Sequence, residues 1–329
     1  SSHFAQPHFF FDPSFFLMGC VSSNAGADKN SAIVFIKPHA VNLAVEELVR
    51  KQLASNKVVV MREGKITAET IDEKKLIDKH YGAIASRAVE QKPNQLALQE
   101  EKKELFRSTF GKTWDEALAA DLIFNSADAA TKLGIELAQV GERWNRLQKD
   151  AEMIKLGGGF YAGKIDNIFV INGFYVPMRA KFTAPGTCIH YFEVQWDPAE
   201  LSWTDFRATV VGATDPTKAK EGSIRNSILK DWEKMELKSE PNTGDNGVHA
   251  SASPLEGLAE KANWLGVKVD ADPVGKALMK LGISKQTLTD WFGDPPVQFE
   301  GQKQSIFDLL EDLDVGDCLE KAQKINEQN

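Results

Sequence analysis

The sequence predicts an α+β fold in which short buried strands are separated by amphipathic helices. Continuous apolar runs such as residues 32–36, which end at Lys37-Pro38, are typical of strands buried on both faces. Between these runs, apolar residues recur three and four positions apart, as they do on helices that bury one face. Hydrophobic residues make up 42% of the chain and charged residues 26%, the balance of an ordinary globular protein.

The elements follow from these patterns in chain order. We predict strands at 32–36, 57–66, 167–171 and 188–194, and helices at 41–54, 70–88, 126–154 and 198–210. A further helix begins at residues 253–256, where Ser is a suitable N-cap, Pro a suitable first residue and Glu a suitable third residue. Short helices at 274–281, 285–291 and 306–313 precede an acidic, polar end.

Charge and cysteine usage exclude several classes of protein. The 39 Lys and Arg residues against 47 Asp and Glu residues give a net charge of −8, so we expect no nucleic-acid partner recognised through an overall basic field. No apolar run approaches the length of a membrane-spanning helix. Three widely spaced cysteines form neither a disulfide framework nor a metal-binding pattern. We therefore expect a cytoplasmic protein.

The first 28 residues contain no Lys or Arg and are rich in Phe. Within them, the string Met18-Gly19-Cys20-Val-Ser-Ser satisfies the N-myristoylation pattern and has a neighbouring cysteine for palmitoylation. If the natural protein starts at Met18, acylation of Gly19 and Cys20 would bring it to a membrane. The alternative is a chance Met-Gly pair in a disordered leader, residues 1–30.

One histidine lies in company that suits phosphate chemistry. His249 precedes the predicted N-cap Ser253 by four residues, and the start of a helix stabilises anions. Glu256 and Glu260 share one face of that helix, and Glu260 is placed to hold the imidazole. The alternative is a structural histidine near a helix start.

A second cluster has the residue types that bind polyphosphate. Gly212-Ala-Thr214-Asp-Pro216 is followed by Gly222-Ser-Ile-Arg225, which together offer a hydroxyl, backbone amides near glycines and a guanidinium. Taken alone, the cluster is better explained as a surface turn that carries an incidental Arg.

These residues together resemble the nucleoside diphosphate kinases. The string Asn246-x-x-His249-x-Ser251 matches the active-site histidine signature of that family, and Glu260 stands where the family has its orienting carboxylate. The other matches are Phe35-Ile36-Lys37-Pro38, His80-Tyr81, Arg87, Arg207, the 212–216 segment and Gly222-Ser-Ile-Arg225. The matching residues fall in two stretches, about 31–90 and 187–266.

The resemblance implies a domain organisation and a fold. It implies a kinase-like domain over 31–268 with a ferredoxin-like antiparallel sheet and covering helices. A mainly helical insertion at about 90–165, here called the inserted segment, interrupts this domain. We expect it to be helical because Glu, Lys, Gln and Ala dominate there. Residues 269–329 form a helical C-terminal extension.

The resemblance also implies a reaction. His249 would accept the γ-phosphoryl group of a nucleoside triphosphate such as ATP and pass it to a nucleoside diphosphate. Glu260 would orient His249, and Ser251 would steady Glu260. The phosphate and nucleotide contacts would come from Lys37, Tyr81, Arg87, Arg207, Thr214, Arg225 and Asn246. Mg²⁺ would enter on the nucleotide phosphates rather than on protein ligands, and a homo-oligomer would be expected.

Three departures from the family pattern keep other functions open. Val89 stands where an aromatic residue that stacks on the base is expected, Ala252 replaces the usual Asp, and the inserted segment is long. One alternative is a catalytically inactive nucleotide-binding or scaffold module at a membrane or in a cytoskeletal assembly. Another is a phosphorelay in which His249 donates to a protein.

Overall fold

Two four-stranded sheets organise the residues that the computed structural model describes, 28–96 and 98–329. Gly19 and Cys20, the predicted acylation sites, lie outside these residues. Within them, no helix combines the length and the apolar character needed to cross a membrane.

The amino-terminal elements begin with a strand buried along its whole length. They are β1 (Asn30–Ile36), α1 (Leu43–Ser55), β2 (Val59–Thr67), α2 (Ala68–Glu73), α3 (Leu76–His80) and α4 (Gly82–Val89). The side chain of Asn42 caps α1 by accepting the Val45 N–H at 3.0 Å. The single helix predicted at 70–88 is three short helices, and Lys75, at φ +54°, separates the first two.

The inserted segment contains a sheet that the sequence analysis did not predict. Its elements and the helix that follows are α5 (Glu100–Phe110), α6 (Trp114–Ala119), β3 (Ile123–Asn125), α7 (Ser126–Leu133), α8 (Leu137–Trp144), β4 (Met153–Gly157), β5 (Phe160–Ile165), β6 (Ile168–Ile171) and α9 (Tyr175–Thr183). The strand order is β3-β6-β5-β4, with β3 and β6 parallel and the other pairs antiparallel. The sheet therefore extends beyond residue 165.

The long helix predicted over 126–154 is wrong. Gly134, at φ +63°, ends α7 in the left-handed conformation that glycine favours. Ile154 lies in β4, where Ile154 and Leu156 are buried while Lys155 between them is exposed. Gly157 is the last residue of β4, and Gly158 and Gly159 form the turn of the β4–β5 hairpin, so these glycines do not end a helix.

The elements after the inserted segment return the chain to the first sheet. They are β7 (Cys188–Trp196), α10 (Trp203–Asp205), α11 (Ile224–Lys230), β8 (Val248–Ala250) and α12 (Pro254–Leu265). The helix predicted at 198–210 begins only at Trp203, where Ser202 caps it, and continues as a π-helical turn, Phe206–Val211. The predicted start of α12 is confirmed, since Ser253 Oγ accepts the Glu256 N–H at 3.1 Å.

The first sheet has the order β2-β7-β1-β8, and all its pairs are antiparallel. This sheet and its covering helices confirm the predicted α+β class. On β1, Ala32, Val34 and Ile36 face one apolar cluster while Ile33 and Phe35 face another. The strand is therefore buried on both faces, as its continuous apolar run indicates.

The C-terminal extension consists of α13 (Pro273–Lys280), α14 (Lys285–Trp291), β9 (Pro296–Phe299), β10 (Gln302–Ser305), α15 (Ile306–Leu310) and α16 (Val315–Asn326). The acidic, polar end predicted here is an amphipathic helix, α16, whose apolar positions join a common core with Leu255 and Leu258 of α12. The buried ion pair of Lys261 with Asp272, at 2.6 Å, also joins α12 to the extension. The extension is thus packed against the helix that carries Glu260.

Candidate active site

His249 lies on β8, where pairing with β1 places it opposite Phe35. The imidazole stacks on the Phe35 ring with centroids 4.7 Å apart. The tight approach to β8 requires glycine at position 247: its φ is +88°, and a Cβ there would lie 2.5 Å from the Ile228 side chain. The sheet and this turn together fix the position of the histidine.

Glu260 and Ser251 complete a hydrogen-bonded relay with His249. The Nε2 atom of His249 lies 2.6 Å from Glu260 Oε1, and Ser251 Oγ donates to Glu260 Oε2 at 2.5 Å. Ser251 Oγ also accepts the Ile33 N–H at 3.0 Å, which ties it to β1. Burial by itself raises the pKa of Glu260, but His249, His80 and the hydrogen bond from Ser251 together lower this pKa below its ordinary value. Glu260 is therefore an ionised partner for the imidazole.

His80 is a fourth member of this centre, and the sequence analysis did not single it out beyond its match in His80-Tyr81. Its Nδ1 lies 3.4 Å from Glu260 Oε1, and its ring meets that of His249 edge-on at 4.7 Å. Burial, followed by the nearby His249, lowers the pKa of His80 to about 4. His80 is therefore neutral near pH 7, and Trp264 Nε1 approaches its Nδ1 at 3.4 Å.

A pocket of about 1070 Å³ opens in front of His249. Its size is that of a small-molecule site. Six of the sequence-predicted nucleotide contacts line it: Lys37, Tyr81, Arg207, Thr214, Arg225 and Asn246. The structure therefore brings the two separate stretches of predicted site residues to one cavity.

Two half-buried cations, Lys37 and Arg225, line the pocket. Burial, followed by the nearby Arg225, lowers the pKa of Lys37 to about 8, and burial followed by Arg207 lowers that of Arg225 to about 10. Lys37 Nζ donates to Gly244 O at 3.0 Å, and Arg225 donates to Gly212 O at 2.8 Å and Val248 O at 2.9 Å. The cations repel one another in a poorly solvated place, which favours the arrival of an anion.

Thr214 and Asn246 occupy one rim of the pocket. Asn246 Nδ2 donates to the carbonyl oxygen of Thr214 at 2.9 Å, whereas its Oδ1 is buried and accepts no hydrogen bond from the described residues. Tyr81 lies on another side, where burial, followed by the Glu260 charge, raises the pKa of its hydroxyl to about 12. Tyr81 is therefore available as a neutral hydrogen-bonding group.

Arg87, which the sequence analysis expects among the phosphate ligands, lies elsewhere. Its Nη1 donates to the carbonyl oxygen of Gly158 at 3.0 Å, and its guanidinium lies 5.2 Å from the centroid of the Phe160 ring. Both partners belong to the β4–β5 hairpin of the inserted segment. In this arrangement the hairpin holds Arg87 away from the pocket. Val89, at the position expected to carry a base-stacking aromatic residue, packs beside Ala85, Ala88 and Tyr175.

Arg207 reaches the pocket together with two acidic residues of the C-terminal extension. Its Nη1 donates to Glu311 Oε1 and to Asp312 Oδ1, each at 2.7 Å, and both carboxylates line the pocket. A third carboxyl group, that of Glu256, also lines it. Burial, followed by the proximity of Glu260, raises the pKa of Glu256 well above its ordinary value. Glu256 is therefore protonated more readily than an exposed carboxylate.

The donor set indicates where a metal would sit. Among the described residues, His80, His249 and Glu260 are the group of three potential ligands, with ligand atoms within 4.8 Å of one another. Two imidazoles and one carboxylate do not suit Mg²⁺, which prefers oxygen ligands and retains several waters. A Mg²⁺ ion would therefore enter on the oxygens of a phosphate ligand rather than bind at these three residues.

Comparisons with known proteins add little to this geometry. No protein-family model matches the chain, and no curated protein sequence is significantly similar to it. Similar solved structures include a nucleoside diphosphate kinase from Encephalitozoon cuniculi, with 12% identity, a TM-score of 0.36, and coverage of 74% of this chain and 92% of that one. Another is an NDP kinase from Pyrobaculum aerophilum, with 16% identity, a TM-score of 0.35, and coverage of 72% and 95%. Similarity this low carries no functional argument, which therefore depends on the site itself.

Proposed function

We propose that the protein is a phosphotransferase of the nucleoside diphosphate kinase type, which moves a phosphoryl group between nucleotides through a phosphohistidine at His249. The observation that carries this proposal is the Ser251–Glu260–His249 relay, whose histidine lines a pocket that also contains half-buried cations. An imidazole held by an ionised carboxylate and open to a cationic cavity is suited to nucleophilic attack on phosphorus.

The relay supports Nδ1 of His249 as the attacking atom. Because Nε2 of His249 is held by Glu260, Nδ1 is the nitrogen left for attack. Its lone pair forms the N–P bond while the bond from the γ-phosphorus to the β–γ bridging oxygen breaks, and the nucleoside diphosphate leaves with that electron pair. The positive charge that develops on the imidazole is stabilised through the Nε2–H donated to Glu260. The terminal oxygen of a second diphosphate reverses these steps.

The cations bind and polarise the phosphates during this transfer. Lys37, Arg207 and Arg225 are within the same cavity as His249 and would contact the phosphoryl oxygens. Thr214 and Asn246 would add neutral hydrogen bonds, with Asn246 Oδ1 available to a sugar hydroxyl. When bound to the nucleotide, Mg²⁺ would neutralise part of the phosphate charge.

One face of α9 supports a nucleotide rather than a simple phosphate as the substrate. Phe174, Pro177, Met178, Lys181 and Phe182 recur at helical spacing, and all line the pocket. Residues 174 and 181 are seven positions apart, or about 10 Å along a helix axis. This face is apolar near Phe174 and carries a cation at Lys181, so it would accept a planar base and a phosphate at its two ends. Phe174 thereby takes the role expected at Val89.

The test is covalent labelling. We expect the wild-type protein, incubated with Mg²⁺ and ATP labelled in the γ-phosphate, to form an acid-labile, base-stable phosphoprotein that ADP, GDP or CDP discharges. The His249→Ala variant should remain unlabelled, while the His190→Ala variant, altered outside the pocket, should be labelled normally. Absence of label from a wild-type protein that is folded would contradict the proposal, and label retained by His249→Ala would contradict the site.

One observation favours a second function. Arg87 is held by the inserted segment and Arg207 by the C-terminal extension, so two of the expected phosphate cations already have partners. A nucleotide-binding module without catalysis would show equilibrium binding of ATP but no label. Label that no diphosphate discharges would instead indicate a relay to a protein.

A further inference from the structure

We propose that Lys181 supplies the phosphate contact that the family resemblance assigns to Arg87. This inference depends on the proposed function, because it concerns the same nucleotide pocket. Arg87 leaves a vacant role, since its guanidinium donates to the Gly158 carbonyl and lies over the Phe160 ring. Lys181 reaches the pocket from α9, a helix outside the matched stretches, so the family pattern does not point to it.

The position of Lys181 places its charge beside the phosphate-binding cations. Lys181 lines the pocket, and its positive charge helps to lower the pKa of Lys37, after burial and Arg225 and against the opposing charge of Asp245. Its charge also helps to lower the pKa of His39, which lines the pocket too, after burial and Lys37 and again against the opposing charge of Asp245. A group that destabilises neighbouring positive charges stabilises an anion placed among them.

The present partner of Lys181 is an acidic side chain that a phosphate can replace. Lys181 Nζ donates to Asp245 Oδ1 at 2.8 Å and to Oδ2 at 2.6 Å. The Lys181 side chain is 49% exposed, so the ammonium is accessible to a ligand. A carboxylate and a phosphate offer a lysine the same kind of anionic oxygen, and a polyphosphate carries more charge.

The ion pair is not required to build the loop that carries Asp245. The backbone of this loop is closed locally, because Asn242 Oδ1 accepts the N–H groups of Gly244 at 3.0 Å and of Asp245 at 3.1 Å. The Lys181–Asp245 contact therefore adds little to loop structure. It holds the ammonium at the pocket rim in the absence of a ligand.

Substitutions of Lys181 and of Asp245 should have opposite effects on nucleotide affinity if Lys181 binds phosphate. This difference distinguishes a binding role of Lys181 from a structural one. If Lys181 binds phosphate, Lys181→Ala should raise the dissociation constant of Mg²⁺-ATP and Mg²⁺-ADP roughly tenfold, and Lys181→Arg should restore most of the affinity. Asp245→Asn removes the competing carboxylate and should lower the dissociation constant roughly threefold. If the pair is only structural, both variants should weaken binding together.

The experiment is isothermal titration of the full chain with each nucleotide, with thermal unfolding measured in parallel. Lys164→Ala is the matched control, because Lys164 is an exposed lysine of β5 that does not line the pocket. It loses the same charge and should bind nucleotides as the wild type does. Unchanged affinity in Lys181→Ala, or weaker binding in Asp245→Asn, would overturn the inference. Failure of the wild type to bind any nucleotide would instead overturn the proposed function on which it depends.

Discussion

Arg207 and Asp312 form a contact across the mouth of the pocket, in which Nη1 of the arginine donates to Oδ1 of the aspartate at 2.7 Å. Glu311 accepts from the same nitrogen. The backbone of Asp312 is anchored independently, since its N–H donates to Ala252 O at 3.0 Å and its carbonyl oxygen accepts Thr204 Oγ1 at 3.3 Å. The extension therefore presents these carboxylates to the arginine in place of a phosphate.

The first prediction follows from this competition. The double substitution Glu311→Gln with Asp312→Asn should tighten the binding of ATP about fivefold, because Arg207 no longer exchanges one anionic partner for another, a gain of ~1 kcal/mol. The measurement is the dissociation constant of ATP at fixed ionic strength. Glu320→Gln, on the exposed face of α16, removes charge without touching the pocket and should leave the constant unchanged. Weaker binding in the double variant would show instead that the carboxylates position Arg207 for its ligand.

The second prediction concerns the charge of Glu260. Glu260→Gln retains an oxygen that can accept from His249 Nε2 but removes the negative charge that stabilises the imidazolium. We expect phosphorylation of His249 to slow about 100-fold while nucleotide affinity stays close to that of the wild type. Rapid-quench labelling and equilibrium titration measure the two quantities separately. Equal losses in rate and affinity would mean that the residue only maintains the structure of the site.

The grouping of His249, Ser251 and Glu260 could be predicted from the sequence because these residues are close together in the chain. His249, Ser251 and Glu260 lie within twelve consecutive residues, and a strand followed by a capped helix is enough to bring them together. The cap at Ser253 is itself encoded by the residues around it. The strand at His249 was implied only by the family resemblance, since β8 has three residues, of which only Val248 favours a strand, and so short a segment does not show a pattern.

The position of the Arg87 side chain could not be predicted from the sequence, because the carbonyl group that it contacts lies 71 residues away along the chain. Nothing in the sequence near Arg87 records that a hairpin carbonyl will accept from it. The hairpin itself was obscured, since Ile154 continues a helical spacing that began at Ala130 and also fits the alternation of β4. In a segment as short as β4, the helical spacing of apolar residues cannot be distinguished from the alternation of a strand. The pairing of β4 with β5 is what makes this segment a strand.

The third prediction tests the backbone that delivers His249. Gly247→Ala adds a Cβ 2.5 Å from Ile228 Cδ1 at a residue with φ +88°, so both overlap and backbone strain oppose it. We expect the free energy of unfolding to fall by about 2–3 kcal/mol. Gly266→Ala is the matched control, because its φ is +67° and an added Cβ meets none of the described atoms within 4 Å. Urea denaturation measures the free energy of unfolding of both variants. Equal losses of this free energy would show that overlap with Ile228 does not contribute.

The fourth prediction is a dependence of stability on pH. The pKa of His80 is about 4 in the folded protein, below its ordinary value of 6.5, because of burial and the nearby His249. Between these values the unfolded chain binds a proton that the folded protein does not, so stability should fall as the pH is lowered from 6.5 to 4. Glu256, with its raised pKa, acts in the opposite direction, whereas His39 acts in the same direction.

The variant that isolates His80 is His80→Gln, measured by urea denaturation at a series of pH values. It should lose less stability than the wild type over the same interval, since it has no proton to bind in the unfolded state. His249, Glu260 and Lys37 also face His80 and remain in both proteins. Parallel pH profiles for the two proteins would contradict the assignment.

The fifth prediction concerns the apolar end of α9. Phe174 lines the pocket and is partly exposed, with its ring packed edge-on to Tyr161 at 5.4 Å. If a base stacks there, Phe174→Ala should raise the dissociation constant of ATP roughly tenfold, because stacking of a base on an aromatic side chain contributes about 1–3 kcal/mol. Tripolyphosphate has no base, so its affinity should not change.

Leu105→Ala is the control, because it shortens a partly exposed apolar side chain of α5 outside the pocket, and it should change the affinity for neither ligand. A parallel loss for ATP and tripolyphosphate would mean that Phe174 supports the pocket rather than contacts the base, and the occupant of the apolar end would then be another part of the substrate.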